Sequence, residues 1–239
     1  MYTIRTLNNI AENGLAKLPK DQFTVDANAA DPQGIILRSY DMHNMELNES
    51  LLAVARAGAG TNNIPIDRCT EKGVPVFNTP GANANGVKEL TIAALLLASR
   101  DITGGVEWVD AQKDAAADIA KRVEKEKSRF AGIELAGKTL GVIGLGAIGG
   151  MVANTARSLG MEVIGYDPYI TVKAAWGLSR AVRNAADYDE IFAQSDFISV
   201  HVPATPETKN MFCAESFAKM KRGVRIVNLS RADLVNADD

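Results

Sequence analysis

Seven apolar runs of strand length alternate with helical patterns along most of the chain, and they constrain its fold more than any other feature. The runs are GIILRS, LLAVARAG, PVFNTP, TLGVIGLG, MEVIGYD, FISVHVP and VRIVNLS. Strands that alternate with helices are typical of parallel sheets with crossover helices. Because the runs are continuously apolar, both faces of each sheet should be covered. The sequence therefore predicts the α/β class.

The sequence predicts two domains, residues 1–80 and residues 81–239, and the helical pattern VKELTIAALLLASR lies at the start of the second. After this pattern, residues 107–130 are rich in Ala, Lys and Glu and contain no Gly or Pro. Such a composition predicts one long exposed helix. Its charges form either a solvated face or a dimer contact.

The composition excludes several classes of function. With a net charge of −3 and a pI near 5.5, the chain lacks the clustered Lys and Arg that nucleic-acid binding needs. Its longest apolar run, residues 92–98, is too short to cross a bilayer, and the N-terminus has no signal-peptide pattern. The two cysteines are far apart, which predicts neither a disulfide framework nor a metal site. We therefore expect a cytoplasmic protein that binds small molecules.

A glycine pattern, Gly144, Gly146 and Gly149, lies between a predicted strand and a predicted helix that starts near Ala147. Gly144 would permit the tight turn, and Gly146 would let the backbone approach a pyrophosphate. Gly149 would let the helix pack closely against the strand. The free N–H groups of the first helical turn, near Ala147 and Ile148, would then face the anion. The pattern predicts a dinucleotide-binding turn.

Asp167 ends the next apolar run, about 20 residues after the glycines, where a carboxylate can accept hydrogen bonds from the adenosine ribose. No arginine follows it, so a 2′-phosphate would meet the charge of Asp167 with nothing to offset it. The pattern therefore favours NAD over NADP. The alternative is an ordinary glycine-rich turn followed by a surface aspartate.

Four segments carry a resemblance to a known family: RAGAGTNNIPIDRCTEKGVPVFNTPGANANGVKEL, LAGKTLGVIGLGAIG, DFISVHVPATPETKNM and IVNLSRADLV. In this order they resemble the D-isomer-specific 2-hydroxyacid dehydrogenases, and within them the phosphoglycerate-oxidising branch. The resemblance implies a doubly wound Rossmann-type NAD-binding domain and a smaller flavodoxin-like α/β substrate domain. It also implies oxidation of D-3-phosphoglycerate to 3-phosphohydroxypyruvate by NAD, the first step of L-serine biosynthesis.

The resemblance assigns roles to three residues at the end of the last apolar run. Arg231 matches the family arginine that grips the substrate carboxylate and carbonyl. A planar guanidinium suits this task because it can hold a carboxylate with two parallel hydrogen bonds. Leu229 and Ser230 would lie beside the nicotinamide ribose. The simpler alternative is that they only end a strand.

In the first domain, the resemblance implies that Arg38 and Ser39 contact the substrate phosphate at the end of a strand. The alternative for Arg38 is a surface arginine with no ligand.

Further substrate contacts are implied in the same domain. Gly58, Ala59 and Gly60 would offer backbone N–H groups to the substrate carboxylate, an approach that glycine permits. Asn83 matches a position that lines the family's cleft, and as a loop asparagine its simpler role is to cap a turn.

Oxidation of a secondary alcohol needs a base, and the family uses a histidine supported by a glutamate well beyond the arginine. The resemblance therefore predicts that this chain lacks the catalytic Glu and His and the last strands of the nucleotide sheet, and that it turns over slowly or not at all. His201 ends the run FISVHV, but a histidine at a strand end more often makes local hydrogen bonds. We assign it no catalytic role.

Two other functions stay open at this stage. The substrate could be another D-2-hydroxy acid, such as glycerate, glyoxylate or hydroxypyruvate. The chain could instead be a non-catalytic NAD-binding regulator of the same family. Under each of these interpretations we expect a homodimer or a higher oligomer.

Overall fold

The computed structural model describes residues 1–113 and 118–239, which divide into two compact units, Met1–Asn83 and Ala84–Asp239. The boundary predicted from the sequence, after residue 80, lies close to this division. Among the described residues, no helix has both the length and the apolar character that a membrane span requires.

The first unit contains a parallel sheet of the strands β1 (Tyr2–Leu7), β2 (Phe23–Val25), β3 (Gly34–Leu37), β4 (Ala53–Arg56) and β5 (Val76–Phe77). The helices α1 (Glu12–Leu15) and α2 (Ile66–Glu71) lie between strands in the chain. The spatial order is β2-β1-β3-β4-β5. This order is the flavodoxin-like one that the resemblance implies.

The core of the first unit lies on strands β3 and β4. Ile35, Leu37 and Val54 are almost completely buried, and they pack with Met42 and Leu47 from the following loop. In the sheet register, Leu7 pairs with Leu37, and Leu37 pairs with Arg56. The carboxyl ends of β1, β3 and β4 therefore meet at one edge, and the loops that follow them are neighbours.

The second unit contains the strands β6 (Thr139–Ile143), β7 (Glu162–Tyr166), β8 (Val182–Asn184), β9 (Phe197–Val200) and β10 (Arg225–Asn228). Its helices are α3 (Ala84–Ser99), α4 (Ile102–Asp110), α5 (Ile119–Glu126), α6 (Gly149–Ser158), α7 (Val172–Trp176), α8 (Tyr188–Gln194) and α9 (Ala214–Ala218). All described strand pairs are parallel, in the order β10-β9-β6-β7-β8. Counted from β6, this is the Rossmann order 3-2-1-4-5, which switches direction between β6 and β9.

Both faces of this sheet are covered, as the continuous apolar runs predict. On one face, Leu140 and Val142 pack with Leu95 of α3 and Val152 of α6. On the other face, strand residues such as Ile143, Ile164 and Ile198 pack with Ile191 and Phe192 of α8. The predicted α/β fold class is confirmed.

All seven apolar runs form strands, but β1, β2 and β8 were not predicted. Polar residues, such as Thr3 and Arg5, interrupt β1. The strands β2 and β8 have three residues each and lie at the edges of their sheets, so few apolar side chains mark them.

The prediction of one long helix over residues 107–130 is wrong. The helix α4 ends at Asp110, a turn follows at residues 111–113, and α5 leads into a 3₁₀ turn, Lys127–Phe130, while residues 114–117 lie outside the described residues. The rings of Trp108 and Phe130 lie 6.1 Å apart, whereas a straight helix would separate these residues by about 33 Å. The chain therefore folds back to bring these two rings together, which composition alone does not reveal.

Candidate functional site

The turn after β6 requires glycine at two positions. Gly144 has a φ of 87°. A Cβ atom at Gly144 would lie 2.9 Å from the carbonyl oxygen of His201. At Gly149 a Cβ atom would lie 1.8 Å from the carbonyl oxygen of Gly144. Any side chain at Gly149 would therefore push the start of α6 away from the end of β6.

Gly146 differs from these two glycines because a Cβ atom there would meet no atom within 4 Å. Packing within the unit does not explain a glycine at this position. The N–H groups of Gly146, Ala147 and Ile148 have no acceptor among the described residues. At the start of α6, the Gly150 N–H donates to the Gly146 carbonyl at 3.0 Å. Open space and unpaired N–H groups at the start of a helix fit an anionic ligand.

The helix α6 begins at Gly149, two residues later than the start near Ala147 that the sequence predicts. Residues 147 and 148 instead form a turn that leads into the helix. Differences of this size are common at helix ends. The predicted N–H groups of Ala147 and Ile148 therefore belong to this entering turn.

Asp167 follows β7 directly and joins that strand to the glycine turn. Its Oδ2 accepts the N–H of Leu145 at 2.8 Å, and its Oδ1 accepts the N–H of Tyr169 at 2.9 Å. The side chain is therefore fixed, and each carboxylate oxygen keeps a further lone pair. The half-buried carboxylate can accept hydroxyl hydrogen bonds from a ribose, so the residues of this edge fit a dinucleotide.

The end of β10 carries the predicted Leu229, Ser230 and Arg231. The Ser230 hydroxyl donates to the Val200 carbonyl at 2.8 Å, which holds this segment against the end of β9. The amide of Asn228 donates to the Arg231 carbonyl at 2.8 Å. Arg231 is exposed, and its guanidinium donates to the Ser230 carbonyl at 3.1 Å. It carries no ion pair to a described carboxylate, so its charge is available to an anion.

His201 lies behind the glycine turn and not on an open surface. Its Nε2 lies 2.9 Å from the hydroxyl of the buried Ser199. Its buried Nδ1 has no partner among the described residues. Burial lowers the pKa of His201 from 6.5 to about 4. A base of this pKa is poorly matched to proton transfer near neutral pH.

In the first unit, Arg38 and Ser39 follow β3 and are both exposed. The guanidinium of Arg38 and the hydroxyl of Ser39 have no hydrogen-bond or ion-pair partner among the described residues. Arg56 ties this turn to the next loop, because its Nε donates to the Arg38 carbonyl at 2.9 Å and its Nη1 donates to the Gly60 carbonyl. The two predicted substrate segments are thus held together by one arginine that the sequence analysis did not single out.

The loop after β4 offers fewer N–H groups than predicted. The Gly58 N–H donates to the Arg56 carbonyl at 2.9 Å and is already used. The N–H groups of Ala59 and Gly60 have no acceptor among the described residues. They are therefore the ones available to a carboxylate.

Asn83 is exposed and directly precedes α3. Its side chain makes no hydrogen bond to another described residue. The simpler role considered for it, capping a turn, is not what this side chain does in the structure.

Residues 92–239 match the family model described as D-isomer specific 2-hydroxyacid dehydrogenase, NAD binding domain. The chain belongs to this family. The resemblance inferred from the sequence is therefore confirmed, and NAD is the cofactor of this dehydrogenase domain.

Curated relatives of this dehydrogenase chain include two named D-3-phosphoglycerate dehydrogenase. The relative from Methanocaldococcus jannaschii is 43% identical over 192 residues, which cover 80% of this chain and 34% of the relative. The relative from Mycobacterium leprae is 38% identical over 219 residues, which cover 90% of this chain and 39% of that relative. The chain thus spans between 34% and 39% of the length of these relatives.

Among solved structures, the NAD⁺-bound 3-phosphoglycerate dehydrogenase of Entamoeba histolytica is similar to the chain with a TM-score of 0.71 and 26% sequence identity. The match covers 99% of this chain and 74% of the Entamoeba histolytica chain. This similarity supports the dehydrogenase fold and its NAD site together.

The half-buried His201 should make the stability of the second unit depend on pH. Folding lowers the pKa of His201. The unfolded chain therefore binds a proton at this residue below about pH 6.5, whereas the folded chain binds it only below about pH 4. Stability is therefore complete above pH 6.5 and falls as the pH drops towards 4. We expect about 2 kcal/mol of the loss between pH 7.5 and 4.5 to vanish in His201→Gln.

Urea unfolding followed by tryptophan fluorescence measures this effect, because both tryptophans, Trp108 and Trp176, belong to the second unit. The matched control is His43→Gln, which removes the exposed histidine of the first unit and should keep the wild-type pH dependence. An unchanged loss of stability in His201→Gln would show that this histidine is not a buried neutral group.

Proposed function

We propose that the chain forms the cofactor-binding and substrate-gripping parts of a D-3-phosphoglycerate dehydrogenase. In this function, D-3-phosphoglycerate is oxidised to 3-phosphohydroxypyruvate, the first step of L-serine biosynthesis. The observation that carries the proposal is Arg38, an exposed cation at a strand end whose guanidinium meets no described carboxylate. The names of the curated relatives support the same activity.

In this function the glycine turn holds the pyrophosphate of NAD. The N–H groups of Gly146, Ala147 and Ile148 bind its oxygens, with the positive end of α6 behind them. Asp167 accepts the adenosine ribose hydroxyls, and Leu229 and Ser230 line the path of the nicotinamide ribose. Bound NAD supplies the acceptor for the substrate hydride.

Arg231 holds the carboxylate and the reacting oxygen of the substrate. To do so it exchanges only its exposed contact with the Ser230 carbonyl, which costs little because water also competes for that contact. A fixed guanidinium then stabilises negative charge on the oxygen. In the first unit, the N–H groups of Ala59 and Gly60 bind the substrate carboxylate, Gly58 shapes their loop, and Asn83 contributes an amide to the substrate.

The proton of the substrate hydroxyl needs an acceptor, and we assign that role to none of residues 1–239. His201 is unsuitable because burial lowers its pKa to about 4 and its Nε2 is engaged by Ser199. The resemblance to the family implies an accepting histidine and a supporting glutamate at positions after Arg231.

A second candidate is the oxidation or reduction of another D-2-hydroxy acid. The glycine turn, Asp167 and Arg231 would serve any substrate of this class, since they contact only NAD and the hydroxy-acid group. Arg38 and Ser39 distinguish the two candidates because only a phosphorylated substrate uses them. A regulator without turnover would still bind NAD but would bind neither the hydroxy-acid group nor the phosphate of a substrate.

We also propose that the chain self-associates through the groove between α4 and α5. This groove is lined by the apolar side chains of Ile102, Val106, Val109, Val123 and Phe130. Val106 and Val109 are 65% and 59% exposed, so the helix presents an apolar face that a second copy would cover.

Arg38→Gln tests the proposed substrate. Because the guanidinium should make charge-assisted hydrogen bonds to phosphate, we expect 3-phosphoglycerate to bind about tenfold more weakly to this variant. Glycerate, which has no phosphate, should lose less than about twofold. NMR titration of the chain with each compound measures both affinities.

The matched control for the Arg38 test is Lys20→Gln, which removes an exposed positive charge elsewhere in the first unit. It should leave both affinities unchanged. Equal weakening of both compounds by Arg38→Gln would contradict the phosphate role and favour the second candidate. A wild-type chain that binds NADH but neither compound would favour the regulator.

Val106→Lys tests self-association, since it places a charge in the middle of the apolar groove. We expect sedimentation to show a dimer or larger species for the wild-type chain and a shift to monomer for the variant. Val172→Lys is the control because Val172 is 75% exposed on α7, outside the groove. A monomeric wild-type chain, or equal dissociation of both variants, would refute the proposal.

A further inference from the structure

The turn that carries Arg38 and Ser39 is organised by Asn8, the residue after β1. The Oδ1 atom of Asn8 accepts three consecutive backbone N–H groups, from Arg38 at 3.1 Å, Ser39 at 2.9 Å and Tyr40 at 2.8 Å. This arrangement is possible because Leu7 and Leu37 are paired in the sheet, so the ends of β1 and β3 are adjacent.

The carbonyl side of the same turn is also occupied. Arg56 donates to the Arg38 carbonyl at 2.9 Å, and the amide of Asn63 donates to the Tyr40 carbonyl at 2.7 Å. A longer contact of 3.3 Å joins Asn63 to the Arg38 carbonyl. The backbone of the turn is therefore held from both sides by side chains of the same unit.

Three successive N–H groups that converge on one point form an anion-binding concavity. In this turn an amide oxygen of the protein occupies that concavity. The backbone N–H groups are consequently closed to a ligand, whereas the guanidinium of Arg38 and the hydroxyl of Ser39 are exposed and unpaired among the described residues. An anion that reaches the turn meets side chains only.

We propose that Asn8 is a positioning residue for phosphate recognition. It fixes the turn so that Arg38 and Ser39 face the phosphate. Because its Oδ1 accepts the three backbone N–H groups, phosphate recognition depends on the side chains of Arg38 and Ser39. The inference rests on the proposed function, because it takes the phosphate of the substrate as the anion. Asn8 itself does not touch the substrate.

Asn8→Gly is a selective test of this role. Asn8 has a φ of 81°, a left-handed conformation that glycine adopts without strain, so the variant removes the acceptor and keeps the backbone. We expect 3-phosphoglycerate to bind at least about fivefold more weakly, the factor that corresponds to one net hydrogen bond. Glycerate affinity should change less than about twofold, and amide exchange at residues 38–40 should accelerate.

Asn210→Gly is the matched control. Asn210 is the other non-glycine residue with positive φ among the described residues, at 54°, and it lies in the second unit. Its replacement should leave the two affinities and the exchange of the three amides unchanged. Asn8→Asp supplies a conservative variant, because a carboxylate oxygen can accept the same N–H groups and should keep them protected from exchange.

The outcomes separate the two proposals. A wild-type chain that does not prefer 3-phosphoglycerate to glycerate would overturn the proposed function and the role of Asn8 with it. With that preference present, unchanged discrimination in Asn8→Gly would overturn the role of Asn8 alone. Tighter phosphate binding in Asn8→Gly would also overturn it, because the freed N–H groups would then be the true anion site. Rapid exchange in Asn8→Asp would contradict the acceptor role.

Discussion

The approach of α6 to the end of β6 is the constraint on which the cofactor site depends. A Cβ atom at Gly149 would lie 1.8 Å from the Gly144 carbonyl oxygen, so only glycine allows the helix to begin there. That close start leaves the N–H groups of residues 146–148 without an acceptor in the part of the chain that the structure describes. The Leu145 N–H of the same turn donates to the carboxylate of Asp167, which fixes the residue that we propose to bind the ribose. The proposed pyrophosphate and ribose contacts thus depend on one packing requirement.

The turn after β3 in the first unit differs from the glycine turn in the use of its backbone N–H groups. Its converging N–H groups are filled by the side chain of Asn8, whereas the glycine turn leaves its N–H groups open. One unit therefore offers backbone to an anion, and the other offers the side chains of Arg38 and Ser39. A backbone site suits the pyrophosphate common to all dinucleotides, while a side-chain site can select one substrate among similar acids.

The sequence predicted those parts of the structure whose physical cause is local. Buried strands are marked by continuous apolar runs, and the glycines are marked by their spacing, so the fold class and the tight glycine turn after β6 could be predicted. The strand β1 was not predicted because Thr3 and Arg5 interrupt its apolar pattern. The role of Asn8, the residue after β1, was not predicted either. Its role depends on the pairing of β1 with β3, and only the structure shows that pairing. In the same way, the Trp108–Phe130 contact that reverses the α4–α5 segment joins residues distant in sequence.

We propose that the glycine turn and Asp167 form an NAD site that disfavours a 2′-phosphate. Titration of the wild-type chain and Asp167→Asn with NADH and NADPH, followed by nicotinamide fluorescence, measures this discrimination. The asparagine keeps one oxygen for the Leu145 N–H, but it removes the charge and the acceptor of the Tyr169 N–H. We expect the wild-type chain to bind NADH at least about tenfold more tightly than NADPH, and the variant to lose most of that preference. Equal binding of the two cofactors by the wild-type chain, or an unchanged preference in the variant, would contradict the account.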